Sequence, residues 1–125
     1  MPEDNQATRQ VDQFILEEID SVPHLEALLP FWKRRPQRWS VEEMARSLYI
    51  SAEGTQAILQ ELKQRGMVTL EEGSYSYDPA FRHGNLMEEV DRTYRRELVR
   101  ISRMIHSKAS PAVREFARAF KFKKD

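Results

Sequence analysis

The stretch Trp39-Ser40-Val41-Glu42-Glu43-Met44-Ala45-Arg46-Ser47-Leu48-Tyr49-Ile50-Ser51-Ala52-Glu53-Gly54-Thr55-Gln56-Ala57-Ile58-Leu59-Gln60-Glu61-Leu62-Lys63-Gln64-Arg65-Gly66-Met67-Val68 decides the fold. Ser40 followed three residues on by Glu43 is a capping box. The helix it opens carries Val41, Met44, Ala45 and Leu48 on one face, at helical intervals. Tyr49-Ile50-Ser51 is a short turn. Ser51 caps a second helix, and Glu53 in its first turn suits the positive end of the dipole. Ala57, Ile58 and Leu62 form the inner face of that helix, with Leu59 at its edge. Arg65-Gly66 ends it, with a cation in the last turn and a glycine free to adopt the left-handed conformation.

Immediately downstream, Met67-Val68-Thr69-Leu70 reads as a strand, Glu71-Glu72-Gly73-Ser74 as a turn and Tyr75-Ser76-Tyr77 as the returning strand. Upstream lies the basic connector Lys33-Arg34-Arg35-Pro36-Gln37-Arg38. Before it comes a helix carrying Leu25, Leu28, Leu29 and Trp32. Pro23 belongs to its first turn, and Pro30 predicts a kink or an early end. Val11, Phe14, Ile15 and Ile19 predict a preceding helix, and residues 1–9 read as a flexible, polar N-terminus.

Beyond the hairpin, Asp78-Pro79 has the form of a helix start. Leu86, Val90, Tyr94, Leu98, Ile101 and Ile105 follow at helical spacing. One long helix to about residue 108 would span roughly 45 Å at 1.5 Å per residue, with Gly84 weakening its first turns. Ser110-Pro111 opens a short terminal helix bearing Val113, Phe116, Ala117 and Phe120. The fold class is mostly α (α+β). Its expected parts are residues 1–9, a domain over 10–78, and a helical arm over 79–125.

The chain has 125 residues, 20 Lys and Arg, 20 Asp and Glu, and no Cys. This is the size of one domain. Without cysteine, disulfides, zinc-finger thiolates and thiol chemistry are excluded. The zero net charge is a cancellation. Residues 1–78 hold 8 basic and 14 acidic residues, and residues 79–125 hold 12 and 6. The polar, acidic N-terminus lacks the basic start and apolar run of a secretory signal. No stretch approaches the roughly 18 apolar residues of a membrane span. A cytoplasmic protein is therefore expected.

Nothing in the pattern points to an enzyme. There is no nucleophile elbow and no phosphate-binding glycine loop. Glu42/Glu43 and Glu88/Glu89 are neighbours in sequence, so on a helix they diverge by about 100° and make no acid–base pair. His24, His83 and His106 lack the close spacing of a helical metal site. Met44, Met67, Met87 and Met104 sit in apolar patterns and read as core or interface filler. Trp32 and Trp39 read as core. No cofactor is implied.

Residues 22–77 resemble the winged helix-turn-helix domain of bacterial transcription regulators. The likeness rests on the capped helix 40–48, the short turn, the helix 52–65 and the turn Gly66-Met67-Val68 into the hairpin. It implies a small residue, Ala45, where the two helices cross. It also implies a recognition helix presenting Glu53, Thr55, Gln56, Gln60 and Lys63 to the major groove. Gln suits adenine, and Lys suits phosphate or guanine. Ser40 would meet a phosphate, and Arg34, Arg35 and Arg38 would touch the backbone. The expected function is a DNA-binding regulator working as a homodimer. Its interface would be Leu86, Val90, Tyr94, Leu98, Ile101, Ile105, Phe116 and Phe120, because a lone amphipathic helix cannot hide its own stripe.

The sequence departs from a DNA reader at the wing. Its tip holds two Glu and no cation, although phosphate contacts supply most of the affinity in such complexes. The alternative is a winged helix that docks a protein. DNA binding requires Arg34, Arg35, Arg38 and Lys63 to converge near the helix N-terminus, whereas docking requires that face to be neutral or acidic with apolar residues exposed. The basic, aromatic tail Arg114 to Lys124 reads as a helix docked on the long helix.

Overall fold

The computed structural model describes residues 2–109. In chain order they form α1 (Pro2–Glu18), α2 (Val22–Lys33), α3 (Val41–Leu48), α4 (Ala52–Gln64), β1 (Val68–Glu71), β2 (Ser74–Tyr77), a 3-10 turn (Gly84–Leu86), α5 (Met87–Arg96) and α6 (Leu98–Ala109). The described chain is mostly helical with one antiparallel two-stranded sheet, an α+β architecture. Among these residues no helix is long and apolar enough to cross a membrane. One compact unit is Pro23–Asp91. In the other, the described residues up to Val22 join the described residues from Arg92 onward. These divisions differ from the expected ones at 9/10 and 78/79, because α1 packs on α6 and the start of α5 belongs with the hairpin.

In the unit Pro23–Asp91, α2 buries His24, Leu25, Ala27, Leu28, Leu29 and Phe31. It passes through Pro30 and continues to Lys33, so the expected early end is corrected. Pro30 lies in the last turn, where the only amide missing is its own bond to Glu26, an exposed residue that water can serve. The capping box on α3 is complete. Glu43 N donates to Ser40 Oγ at 3.1 Å, and Ser40 N donates to Glu43 Oε1 at 2.8 Å. α4 buries Thr55, Ile58, Leu59 and Leu62. Leu59 is therefore central rather than at the edge, and Ala57 is exposed. Its end closes through Met67 N to Leu62 O at 3.0 Å, with Gly66 at φ +75. That conformation is costly for any residue with a Cβ.

β1 and β2 pair Val68 with Tyr77 and Leu70 with Tyr75. Glu72 (φ 52) and Gly73 (φ 80) make the tight connection. Positive φ at both central residues marks a type I′ turn, whose twist matches the strands. Trp39 adds a bridge to β2 through Trp39 N to Tyr75 O at 2.7 Å and Tyr75 N to Trp39 O at 2.8 Å. Its ring meets Phe31 edge to face, with centroids 6.0 Å apart, so Trp39 is core as expected. Asp78 does not start a helix. Its Oδ1 accepts from Ala80 N at 2.8 Å in a local turn that competes with helix formation, and the α-helical part begins only at Met87.

The second unit is built on α1, which begins at Pro2. The expected flexible segment 1–9 is thus helical from residue 2; Pro in a first turn sacrifices no helical hydrogen bond, and Glu, Gln, Ala and Arg follow. Val11, Phe14, Ile15 and Ile19 are all buried. On α6, Lys108 Nζ donates to Ile15 O at 3.0 Å and Leu16 O at 2.6 Å, capping the end of α1 with a cation. Arg100 Nη1 reaches Asp12 Oδ2 at 2.9 Å, and its Nε reaches Glu97 Oε1 at 2.7 Å. The Asp12 hydrogen bond leads in holding the Arg100 guanidinium above its ordinary pKa.

The single long helix is corrected to α5 and α6 with a bend at Glu97. The bonds Glu97 N to Thr93 O (2.7 Å) and Ile101 N to Glu97 O (3.0 Å) persist across it. The buried stripe then runs Val90, Tyr94, Ile101, Ile105, while Leu98 drops off it at 49% exposed. The expected terminal helix, with Phe116, Phe120 and the basic tail, lies outside the described residues.

Candidate functional site

The first turns of α3 and α4 and the hairpin turn meet around an open groove of about 460 Å³, lined by Val41, Glu42, Ala52, Glu53, Gln56 and Gly73. Two helix N-termini face it, a setting that favours anions. The amides available there are partly committed. Ser40 Oγ takes Glu43 N, and Ser51 Oγ takes Gly54 N at 3.0 Å. The anions are supplied by the chain itself. Glu42 and Glu53 line the groove, and Glu72 adjoins Gly73 in the turn, after Glu71 at the end of β1. Glu43 is held below the ordinary carboxylate pKa by the Ser40 backbone amide, helped by the Ser40 hydroxyl. The groove is an acidic surface.

The residues expected to meet DNA are scattered and several are engaged. Ser40 is a helix cap. Thr55 is fully buried and its hydroxyl donates to Ser51 O at 2.9 Å, so it cannot read a base. Gln56 lines the groove, with Nε2 3.5 Å from the Tyr75 hydroxyl. Gln60 and Lys63 are exposed. Lys63 stands seven residues beyond Gln56, the last α4 residue that lines the groove, roughly 10 Å along the helix axis.

The cations of the connector do not gather at the groove. Arg38 Nη2 pairs with Glu71 Oε1 at 3.0 Å, a contact favoured because the neighbouring Trp39 is bridged to the hairpin. Lys33 Nζ lies 3.4 Å from Asp91 Oδ1. Arg34 and Arg35 are exposed and lie over aromatic rings, Arg34 at 6.0 Å from the Trp39 centroid and Arg35 at 5.0 Å from that of Trp32. The charge of Arg35 acts on the Tyr77 hydroxyl, whose pKa is raised chiefly by burial. Tyr77 is four residues along β2 from Gly73, about 13 Å away at strand spacing. Arg35 therefore stands at the end of the hairpin remote from the turn.

Two large apolar or aromatic side chains of Pro23–Asp91 are exposed. Tyr49, in the turn between α3 and α4, is 93% exposed, and Leu70 is 44% exposed. Neither stood out in the sequence. Tyr49 has an apolar neighbour on each side, and Leu70 shares its strand face with buried Val68. His24 is nearly buried and its Nε2 is 2.8 Å from Glu61 Oε1, joining α2 to α4. His83 lies edge-on to Phe81 and His106 is exposed. Of the expected interface residues, Val90, Tyr94, Ile101 and Ile105 are buried within the single chain, Leu86 is half-buried, and Leu98 is half exposed. No family model, curated protein or solved structure matches the chain.

Proposed function

We propose that Pro23–Asp91 is a winged helix-turn-helix module that docks a basic segment of a partner protein, and that it does not read DNA. The observation that carries this reading is the acidity of the groove where α3, α4 and the hairpin turn converge. Glu42 and Glu53 line it beside Gly73, Glu72 precedes Gly73 in the turn, and Arg38 is paired with Glu71. A duplex brought there would meet carboxylates, and the cations needed to displace its counterions stand elsewhere. A protein segment bearing Arg or Lys meets complementary charge, which speeds encounter and selects the partner. The winged-helix assignment itself is supported by the element order, the Trp39 bridge beside the hairpin and the closeness of α3 to α4.

The competing DNA reading draws on Gln60 and Lys63, exposed on α4, and on Arg34 and Arg35. A gel-shift assay on the whole chain, using DNA from its own promoter region at two salt concentrations, separates the two. Docking predicts no salt-sensitive shift at micromolar protein. A shift that weakens steeply with salt would refute the docking reading.

A further inference from the structure

We infer that Tyr49 is the contact residue for an arginine of the docked segment. The inference rests on the docking reading and names the feature of the partner that the face selects.

Tyr49 closes α3 in the left-handed conformation, at φ 59 and ψ 39, with its backbone N–H on Ala45 O. This conformation belongs to glycine, and to a lesser degree to asparagine, because a Cβ crowds the following carbonyl. Tyrosine therefore costs stability there. Nothing in the ring's surroundings offsets that cost, since the side chain is 93% exposed and is the most exposed of the large hydrophobic side chains described. An aromatic ring held in solvent at a position that folding would give to glycine has its use outside the fold.

Its place indicates that use. Ala52, which lines the groove, is three residues on, so their Cα atoms are at most about 11 Å apart. Glu53 is the next residue. A segment that crosses Tyr49 and the groove would bring an arginine on the ring near the carboxylate of Glu53. Arginine suits this pairing better than lysine, because its planar, weakly hydrated cation stacks on a ring while its fork binds a carboxylate. Tyrosine and arginine are also the residue types that concentrate binding energy at protein interfaces.

The test uses the full chain and two labelled probes, nona-arginine and nona-lysine, followed by fluorescence anisotropy at low salt. The wild type binds nona-arginine. Tyr49→Gly weakens that binding about threefold or more, Tyr49→Phe keeps it, and nona-lysine is less affected by either change. Tyr49→Gly also raises the melting temperature by a few degrees, because it relieves the backbone. Unchanged nona-arginine binding by Tyr49→Gly overturns the inference. If the double variant Glu42→Gln/Glu53→Gln still loses binding, the docking reading survives that result. A lower melting temperature for Tyr49→Gly would assign the ring to the fold and also overturn the inference. Failure of the wild type to bind either peptide overturns both.

Discussion

Replacing Ile101 by alanine tests whether the apolar stripe of α5 and α6 is closed within one chain. Ile101 is fully buried in the single chain, on the helix that packs against α1. The substitution removes three buried carbons and leaves a void that close-packed neighbours fill only in part, so it costs about 3 kcal/mol. For a chain of this length that corresponds to a loss of about 12 °C in melting temperature. Leu98→Ala is the internal control. Leu98 is 49% exposed, and its truncation costs well under about 1 kcal/mol. Thermal melts followed by circular dichroism, at micromolar protein and at a hundredfold higher concentration, give both numbers. The wild-type melting temperature should not move with concentration. A rise with concentration, or equal losses for Ile101→Ala and Leu98→Ala, would show that a second copy covers the stripe and would refute the reasoning.

Two further outcomes follow from local geometry. Gly66→Ala should destabilise by about 1 kcal/mol in a denaturant titration. Nothing lies within 4 Å of the added Cβ, so the cost is that of φ +75 alone; a neutral result would contradict it. The capping box should make stability depend on pH through Glu43. Its folded-state pKa lies below the ordinary 4.5, so its contribution is complete above that value and fades as pH falls through the lowered one. The stability gap between wild type and Ser40→Ala should therefore shrink on acidification, and a gap constant from pH 7 to about pH 3 would exclude the effect.

What the sequence makes legible is local. Ser40 and Glu43, Ser51 and Gly54, and Gly66 each act within four residues, and their pattern announces the turn or cap they form. The long-range pairings have no such signature. Trp39 reaches Tyr75 across 36 residues, and that bridge explains why Arg38 meets Glu71 instead of a free anion. Arg100 finds Asp12 across 88 residues. Thr55 looks like a polar reader, yet with Ile58, Leu59 and Leu62 it completes the i, i+3, i+4, i+7 face of α4. The phase of that face depends on what α4 packs against. Leu98 falls within an unbroken apolar series, and only the bend at Glu97 removes it from the stripe. At the candidate site, the acidity of the hairpin tip is readable in sequence. The separation of Arg35 from that tip, and of Lys63 from the groove, is a property of the fold.

The packing of α1 on α6 also orders events during synthesis. About 80 residues separate the stripe of α1 from its α6 partner, so α1 emerges first and waits. At about 5–20 residues per second, the wait lasts several seconds. All of Pro23–Asp91 is made in that interval, and the unit can settle before α6 exists. The last-made described helix then completes the first. A ribosome that stalls after Asp91 would release a chain whose middle can fold while the stripe Val11, Phe14, Ile15 and Ile19 still lacks α6, leaving such truncated products open to chaperone capture or degradation.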